Sequence, residues 1–274
     1  MRIILSGSGS FIARAVAQAC RSRGADYLGL RHDDPIDGKA GADDCVINFA
    51  LDPQYRSGEY HEEQDRDLAA ARAATRAGAH FLMLSTRRVY PAAVRWRAAE
   101  ATDATGDETA YGRNKARTEK AVRETCGDAA AIFRLSNIFG YEYNHPVPRR
   151  SFLGQMLYAL KLQNTIFFDM HPDTRRDFLP VEICAGLLVD RALDRSAGTF
   201  NLGGGFPIPC GDLAEWIMQG FGGGKLVSDP AIVRDEFFLS MEKWRAHFGP
   251  LPIDVATLQN YCFELGERLK CEKS

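Results

Sequence analysis

The 274-residue chain has no hydrophobic run approaching 18 residues, so nothing in it reads as a membrane-spanning helix. Its start, MRIILSGSGSF, carries too short an apolar stretch for a signal peptide and runs straight into glycines. It lacks an excess of either charge. The 34 Lys and Arg against 36 Asp and Glu leave a net −2, which gives no electrostatic case for nucleic acid or an anionic membrane. It has no CxxC pair, and its seven scattered cysteines read as reduced thiols of a cytoplasmic protein. The six histidines show no ligand spacing, so no metal site is expected. Internal repeats and low-complexity segments are also missing.

What is present is alternation. Apolar strands at 2–6, 26–30, 44–50, 81–85 and 130–136 are interleaved with helices near 11–23, 61–77 and 110–126. A polar break, LDPQYRSGEY, precedes the helix expected from His61. Strands and helices in this order imply a Rossmann-type α/β fold, a doubly wound parallel sheet with helices on both faces. After Gly140 the pattern loosens into a loop with two prolines, helices at 152–163, 181–193 and 210–221, strands at 165–169 and 198–204, and a mixed C-terminus. The expected division is a dinucleotide-binding domain over 1–140, to which segments near 173–204 return, and a small α/β substrate lobe over 141–274. A cleft between such lobes is a common ligand site.

ILSGSGSFIARAVA gives a strand, a glycine turn and a helix in the order that lets backbone N–H groups approach a pyrophosphate. The candidate cofactor residues here are Gly7, Gly9, Ser10, Phe11 and Ile12. The turn is short of glycine: against GxxGxxG it has Gly7, Ser10 and Ala13. Ala13 still permits close helix–strand packing, and the Ser10 hydroxyl is able to donate to a phosphate. A structural turn without ligand is the alternative. The second strand also lacks a closing acid. Arg31 stands there, and its guanidinium suits a 2′-phosphate, so NADP(H) is favoured over NAD(H); an exposed surface arginine is the alternative. Only thirteen residues, Arg31 to Asp43, lead to the next strand, where a full helix and strand usually lie.

YGRNK places Tyr111 and Lys115 at i and i+4 on one helix face. A nearby ammonium lowers a tyrosine pKa and makes proton transfer useful, although such pairs also arise by chance on solvated helices. Thr86 ends a strand 25 residues earlier, on the edge where parallel sheets bind ligands, and its hydroxyl is placed to bond the same carbonyl oxygen.

With the glycine turn, DCVINFA, LSTRRVYP, YGRNK, FRLSNIFG, RRDFLPVE, GTFNLGGG and MEKWRAHFGPLPI in this order, the chain resembles the extended short-chain dehydrogenase/reductase superfamily, in its NAD(P)-dependent epimerase/dehydratase branch acting on nucleotide sugars. The resemblance implies a Thr86–Tyr111–Lys115 catalytic triad, with Tyr111 and Lys115 also touching the cofactor. It implies that Asn137 lies near the substrate diphosphate, and that Arg176 and Asp177 lie on the segment returning from the substrate lobe. An arginine there often meets a sugar-nucleotide phosphate. It also implies a homodimer paired through the helices near 61–77 and 110–126.

Dehydratases of this family carry Thr-Asp-Glu where this chain has Thr86-Arg87-Arg88. Arginine cannot exchange a proton at working pH, so water elimination is disfavoured. The leading reading is NADPH-dependent reduction of a 4-keto nucleotide sugar, with an NAD-dependent 4-epimerase as alternative. A non-catalytic NADP(H)-sensing protein is the reading from another class. Arg87 is a candidate for an anionic part of the substrate; pairing of Arg87 and Arg88 with Asp103, Asp107 or Glu108 is the alternative. The sugar, the base and the carbon reduced are not readable from the lobe's loops at 141–151, 170–177 and 204–211.

Overall fold

In the computed structural model, which describes residues 1–142, 151–232 and 235–272, the N-terminal half runs β1 (Ile3–Ser6), α1 (Phe11–Arg23), β2 (Tyr27–Leu30), β3 (Cys45–Asn48), α2 (Pro53–Ser57), α3 (Arg66–Ala77), β4 (His80–Thr86), β5 (Trp96–Ala98), α4 (Ala110–Cys126), β6 (Ala130–Leu135) and β7 (Asn137–Phe139). The rest runs α5 (Phe152–Gln163), β8 (Thr165–Phe168), β9 (Arg175–Arg176), β10 (Phe178–Pro180), α6 (Val181–Leu193), β11 (Gly198–Leu202), β12 (Ile208–Pro209), α7 (Cys210–Phe221), β13 (Lys225–Ser228), β14 (Phe238–Leu239), α8 (Glu242–Phe248) and α9 (Val255–Cys271). Most of the loop expected over 141–151 lies outside the described residues.

Six parallel strands form the central sheet in the order β2-β1-β3-β4-β6-β11. Every residue of β1 and β3 is buried, as central strands covered on both faces require. Alternation assigns the faces. Ile3 and Leu5 point toward Val16 and Cys20 of α1 and Leu188 and Val189 of α6. Ile4, Val46 and Phe81 point toward Ala70, Ala71 and Ala74 of α3 and Val122 of α4. The small alanine face lets α3 lie close on the sheet.

β2 is an edge strand, because the helix and strand that would normally follow it are absent and a loop takes their place. Ile36 plugs this loop into the core beside Leu30 and Ala73, and exposed pairs Arg66–Asp33 (3.4 Å) and Arg76–Asp37 (2.8 Å) tie it to α3.

Two boundaries differ from the sequence reading. The helix expected from His61 begins at Arg66, because the Asp65 carboxylate caps it by accepting the Leu68 N–H at 3.0 Å; a short 3-10 turn over Glu62–Gln64 precedes it. The polar break ahead of it contains a short helix of its own, α2, started by the Asp52 cap and Pro53 at its first position.

A second core is built from Phe139, Leu157, Leu160, Phe168, Leu213 and Ile217 and closed by α9. Glycines make that closure close: a Cβ at Gly220 of α7 or Gly266 of α9 would run into the backbone of the facing helix. The segment 181–202 returns to the main sheet, where α6 packs on α1 and β11 pairs with β6.

α4 sits on the sheet by a different means. The Arg134 guanidinium on β6 grips the Glu119 carboxylate on α4, with Nε at 3.0 Å and Nη2 at 2.8 Å, and Ser85 Oγ donates to the same carboxylate at 2.6 Å. Both charged side chains are buried, at 4% and 0% exposure. Removing one partner of such a pair strands a buried charge, whereas removing both does not. Arg134→Leu is therefore expected to cost about 3–5 kcal/mol, and Arg134→Leu/Glu119→Leu to recover much of it, read by denaturant unfolding. Equal destabilisation by the single and double variants would refute this account.

Candidate active site

The strand order reverses between β1 and β3, and a cleft opens at the C-terminal ends of these strands, where open α/β sheets bind ligands. Gly7 makes the tight turn out of β1 at φ +74°, and a Cβ there would lie 2.6 Å from the Ala50 amide nitrogen. Only glycine permits that approach. Ser10 caps α1 by accepting the Ala13 N–H at 3.2 Å, which leaves its hydroxyl proton to donate elsewhere. Above Gly9 a Cβ would meet nothing.

Ser10, Phe11 and Ile12, at the start of α1, form one wall of a cavity of about 470 Å³. Ala50, Arg56, Ser85, Tyr111 and Lys115 also line it. A contiguous cavity of about 310 Å³ shares Ile12, Ser85 and Tyr111 and adds Thr86 and Asn137. Thr86, Tyr111, Lys115 and Asn137, chosen from the sequence, are thus brought to one continuous cleft. Thr86 Oγ1 accepts the Arg88 N–H at 3.3 Å, fixing the hydroxyl at the strand end.

Lys115 lies below Tyr111, its Nζ 5.9 Å from the ring centroid. Nζ donates to Asp67 Oδ2 at 2.5 Å and to the Leu84 carbonyl at 2.9 Å. Burial alone would lower the Lys115 pKa, but the Asp67 carboxylate outweighs burial and holds it well above the ordinary lysine value. An ammonium has three donors, so one N–H remains for a ligand.

The structure places other candidates away from the cleft. Arg31 is 89% exposed, its Nη2 3.6 Å from an Asp34 carboxylate. The neighbouring cavity of about 360 Å³, between the 32–37 loop and α3, is lined instead by Asp33, Asp34 and Asp37 with Arg66, Arg72 and Arg76. Arg87 packs over the Phe237 ring at 3.5 Å and pairs with Asp235 at 3.0 Å, and it lines neither part of the cleft. Burial, partly offset by Asp235, lowers its pKa to about 10, so it stays charged at neutral pH. Arg88 pairs with Asp107 at 2.7 Å, one of the carboxylates anticipated for it. Arg176 donates to the Asp235 carbonyl at 3.2 Å and also lies outside the cleft lining. Asp177 is buried and accepts the N–H groups of Gly204, Gly205 and Leu239, which makes it a brace for that segment.

Cleft residues not anticipated from the sequence are Asn48, Arg56, Asp67, Ser85, Glu142 and Ser151. Asp67 had a signal: it is an acid on the alanine stripe that α3 buries. Glu142 accepts from the Ser151 amide (3.1 Å) and hydroxyl (2.6 Å).

A parallel sheet with this glycine turn, and a Tyr–Lys pair at its switch point, defines a Rossmann-type protein of the short-chain dehydrogenase/reductase class. Within it, residues 1–170 match the model of the RmlD substrate binding domain, and the chain belongs to that family. No curated protein shows significant sequence similarity to it. Among solved structures, the chain resembles dTDP-4-dehydrorhamnose reductase from Yersinia enterocolitica, with 16% identity, TM-score 0.76, and 97% of this chain and 99% of that one covered. It also resembles UDP-N-acetylglucosamine 4-epimerase from Bacillus cereus, with 16% identity, TM-score 0.78, and 98% and 99% covered. MoeE5 in complex with UDP-glucuronic acid and NAD is similar at 14% identity, TM-score 0.78, and 98% and 99% covered.

The turn generates one expectation. Gly7→Ala forces a positive φ on a residue with a Cβ and pushes that Cβ into Ala50. It should cost about 1–3 kcal/mol in stability and weaken dinucleotide binding at least tenfold, measured by thermal unfolding and fluorescence titration. Unchanged binding would remove the turn from the cofactor site.

Proposed function

We propose that this protein is an NAD(P)-dependent enzyme of nucleotide-sugar modification that reduces a 4-keto nucleotide sugar, with Tyr111 as the proton donor. The observation that carries this reading is the convergence of Thr86, Tyr111 and Lys115 on one cleft beside the N-terminus of α1. The cofactor, when bound, supplies hydride chemistry. Ser10, Phe11 and Ile12 at the helix start would hold its diphosphate, and the third Lys115 N–H would be free for a ribose hydroxyl. Thr86 and Tyr111 both donate to the substrate carbonyl oxygen, and Tyr111 passes its proton there as the carbonyl becomes an alcohol. Asn137, on the far side of the cleft, contacts the substrate.

The resemblance to a dTDP-4-dehydrorhamnose reductase supports reduction. The resemblance to a UDP-sugar 4-epimerase keeps epimerisation as the second reading. Elimination of water fits poorly, because the two positions after Thr86 carry guanidiniums held by Asp235 and Asp107. For the cofactor, the cavity at the end of β2 presents three carboxylates and three arginines, with Arg66 and Arg76 already paired to Asp33 and Asp37. A 2′-phosphate must displace these pairs or draw in the exposed Arg31 side chain.

A homodimer through α3 and α4 also belongs to this reading. The outward face of α4 carries Arg113, Arg117 and Lys120, and that of α3 carries Arg72 and Arg76, only partly matched by Glu124, Glu62 and Asp37. Pairing this face with itself brings like charges together, so dimer population should rise with ionic strength. Light scattering at low and high salt checks this; a monomer at both ends the dimer reading.

Purified protein should oxidise NADPH on addition of a 4-keto-6-deoxy nucleotide sugar, and Tyr111→Phe should lower kcat by about 10²–10⁴-fold. Tight cofactor carried through purification, with turnover needing none added, would point to the epimerase. Binding of NADPH without turnover across a broad panel of sugar nucleotides would point to a sensor. Arg31→Asp should weaken NADPH relative to NADH, and an unchanged preference moves selectivity to Arg66 and Arg76.

A further inference from the structure

The Lys115 ammonium is expected to help Tyr111 by its positive field, yet the same ammonium is bound to Asp67. The pair is deep, with side chains 5% and 4% exposed. Asp67 is itself anchored, because its Oδ1 accepts the Asn48 side-chain N–H at 2.9 Å, and Asn48 in turn is bonded to the Ala50 backbone at the end of β3. Lys115 is therefore pinned from two sides, by α3 through Asp67 and by β4 through the Leu84 carbonyl.

We propose that Asp67 positions Lys115 and cancels its charge at Tyr111, so that Tyr111 enters the reaction as a protonated donor rather than as a phenolate base. This rests on the reading of Tyr111 as the proton-transfer group. An enzyme that first oxidises its substrate needs the phenolate, whereas a reductase needs the phenol. A lone ammonium about 6 Å from a phenol favours the phenolate; an ammonium with a carboxylate 2.5 Å from it acts as a short dipole, whose field falls off much faster. Coulomb's law decides the sign. With Lys115 protonated and still donating to the Leu84 carbonyl, removing the carboxylate's charge restores the full positive field and draws the proton off Tyr111 at a lower pH.

The other charged groups around the pair do not take over this role. Tyr55 of α2 faces Lys115 as a neutral phenol bonded to Thr118 at 2.7 Å. Asp65 of α3 receives hydrogen bonds from Thr118, Tyr60 and the Leu68 amide. Glu119, one turn along α4, is held by Arg134. Across the cleft, Arg56 and Glu142 are of opposite sign. β4 contributes the Leu84 carbonyl and the hydroxyls of Ser85 and Thr86, which carry no charge. Asp67 is the group that touches the ammonium.

The test is a spectrophotometric titration of tyrosinate, taking the difference between each protein and its Tyr111→Phe counterpart so that only Tyr111 is read. In Asp67→Asn, which keeps the size and the acceptor for Asn48, ionisation of Tyr111 should move to lower pH by about one unit or more, a tenfold change in the equilibrium. The alkaline limb of the rate of carbonyl reduction should move with it. Asp67→Glu should retain the wild-type titration. The double variant Asp67→Asn/Lys115→Met buries no charge and keeps the comparison open where the single variant fails to fold. Its Tyr111 should titrate with the wild type, because a cancelled pair and no pair exert similar fields. An unmoved titration in Asp67→Asn overturns the proposal, as does a double variant whose Tyr111 ionises well above the wild type. The tyrosinate titrations need no substrate, so a failure of the nucleotide-sugar reading shows up separately, as absence of turnover with Tyr111 titrating as described.

Discussion

Helix α4 carries Tyr111 and Lys115, and it is seated on the sheet largely by buried polar bonds. Ala116 and Val122 are the only apolar side chains among its buried residues; the others are Gly112, Asn114, Lys115, Thr118 and Glu119. Asn114 Nδ2 donates to the carbonyls of Tyr55 (2.8 Å) and Gly58 (3.1 Å), Lys115 binds Asp67 and Leu84, Thr118 meets Tyr55 and Asp65, and Glu119 meets Ser85 and Arg134. An apolar face tolerates sliding, because any close contact is nearly as good as the next. A directional bond of this kind fixes both axial position and rotation, since a shift leaves buried donors or charges without partners. The placing of two catalytic candidates within one helical turn depends on this set of bonds.

The same contacts explain why α2 and α3 matter to the cleft without providing its chemistry. α2 interrupts a polar stretch, yet its Tyr55 is buried against α4, and its Arg56 faces the cleft. α3 brings Asp65 and Asp67 on a face otherwise made of Leu68 and alanines, close enough for short acids to reach α4. Loss of the usual elements beyond β2 leaves the other half of the ligand region different in kind. There, exposed ion pairs hold a loop in place, and exposed pairs contribute little stability each. The end of the cleft beside Tyr111 and Lys115 is thus held by buried polar bonds and the end beside the 32–37 loop by exposed pairs.

The order of elements was legible because the strands are short and mostly apolar, and because Gly24 and Gly78 end α1 and α3 in the left-handed conformation. Tyr111, Lys115 and Thr86 were legible because they lie near each other in sequence or at a strand end. Asp67 was not singled out: it falls on the alanine stripe that α3 buries, but the partner that explains an acid there comes from α4, 48 residues away. Arg31 and Arg87 were read from their positions alone; what decides their placement is Asp34 in the next turn and Asp235 some 148 residues away. α9 went unread within a mixed C-terminus, although Leu258, Cys262, Leu265 and Leu269 form a stripe at helical spacing.

The arginines after Thr86 acquire a positive role from their partners. Asp235 accepts from Arg87 at 3.0 Å and from Arg95 at 2.7 Å, and Arg176 reaches its carbonyl, so one acid gathers three arginines from β4's end, the β5 approach and β9. Arg88 does the same toward Asp107, which also caps the turn leading into α4 by accepting the Thr109 N–H at 2.9 Å. The strand end bearing Thr86 and the helix start preceding Tyr111 are thereby coupled through Asp107. Guanidinium groups suit this task because they keep their charge across the working pH range and bind carboxylates in fixed planes. A proton-exchanging acid at either position would loosen the link whenever it titrated. The two arginines thus tie the strand end bearing Thr86 and the turn before Tyr111 to buried or half-buried carboxylates, with the cationic side of each link charged throughout the working pH range.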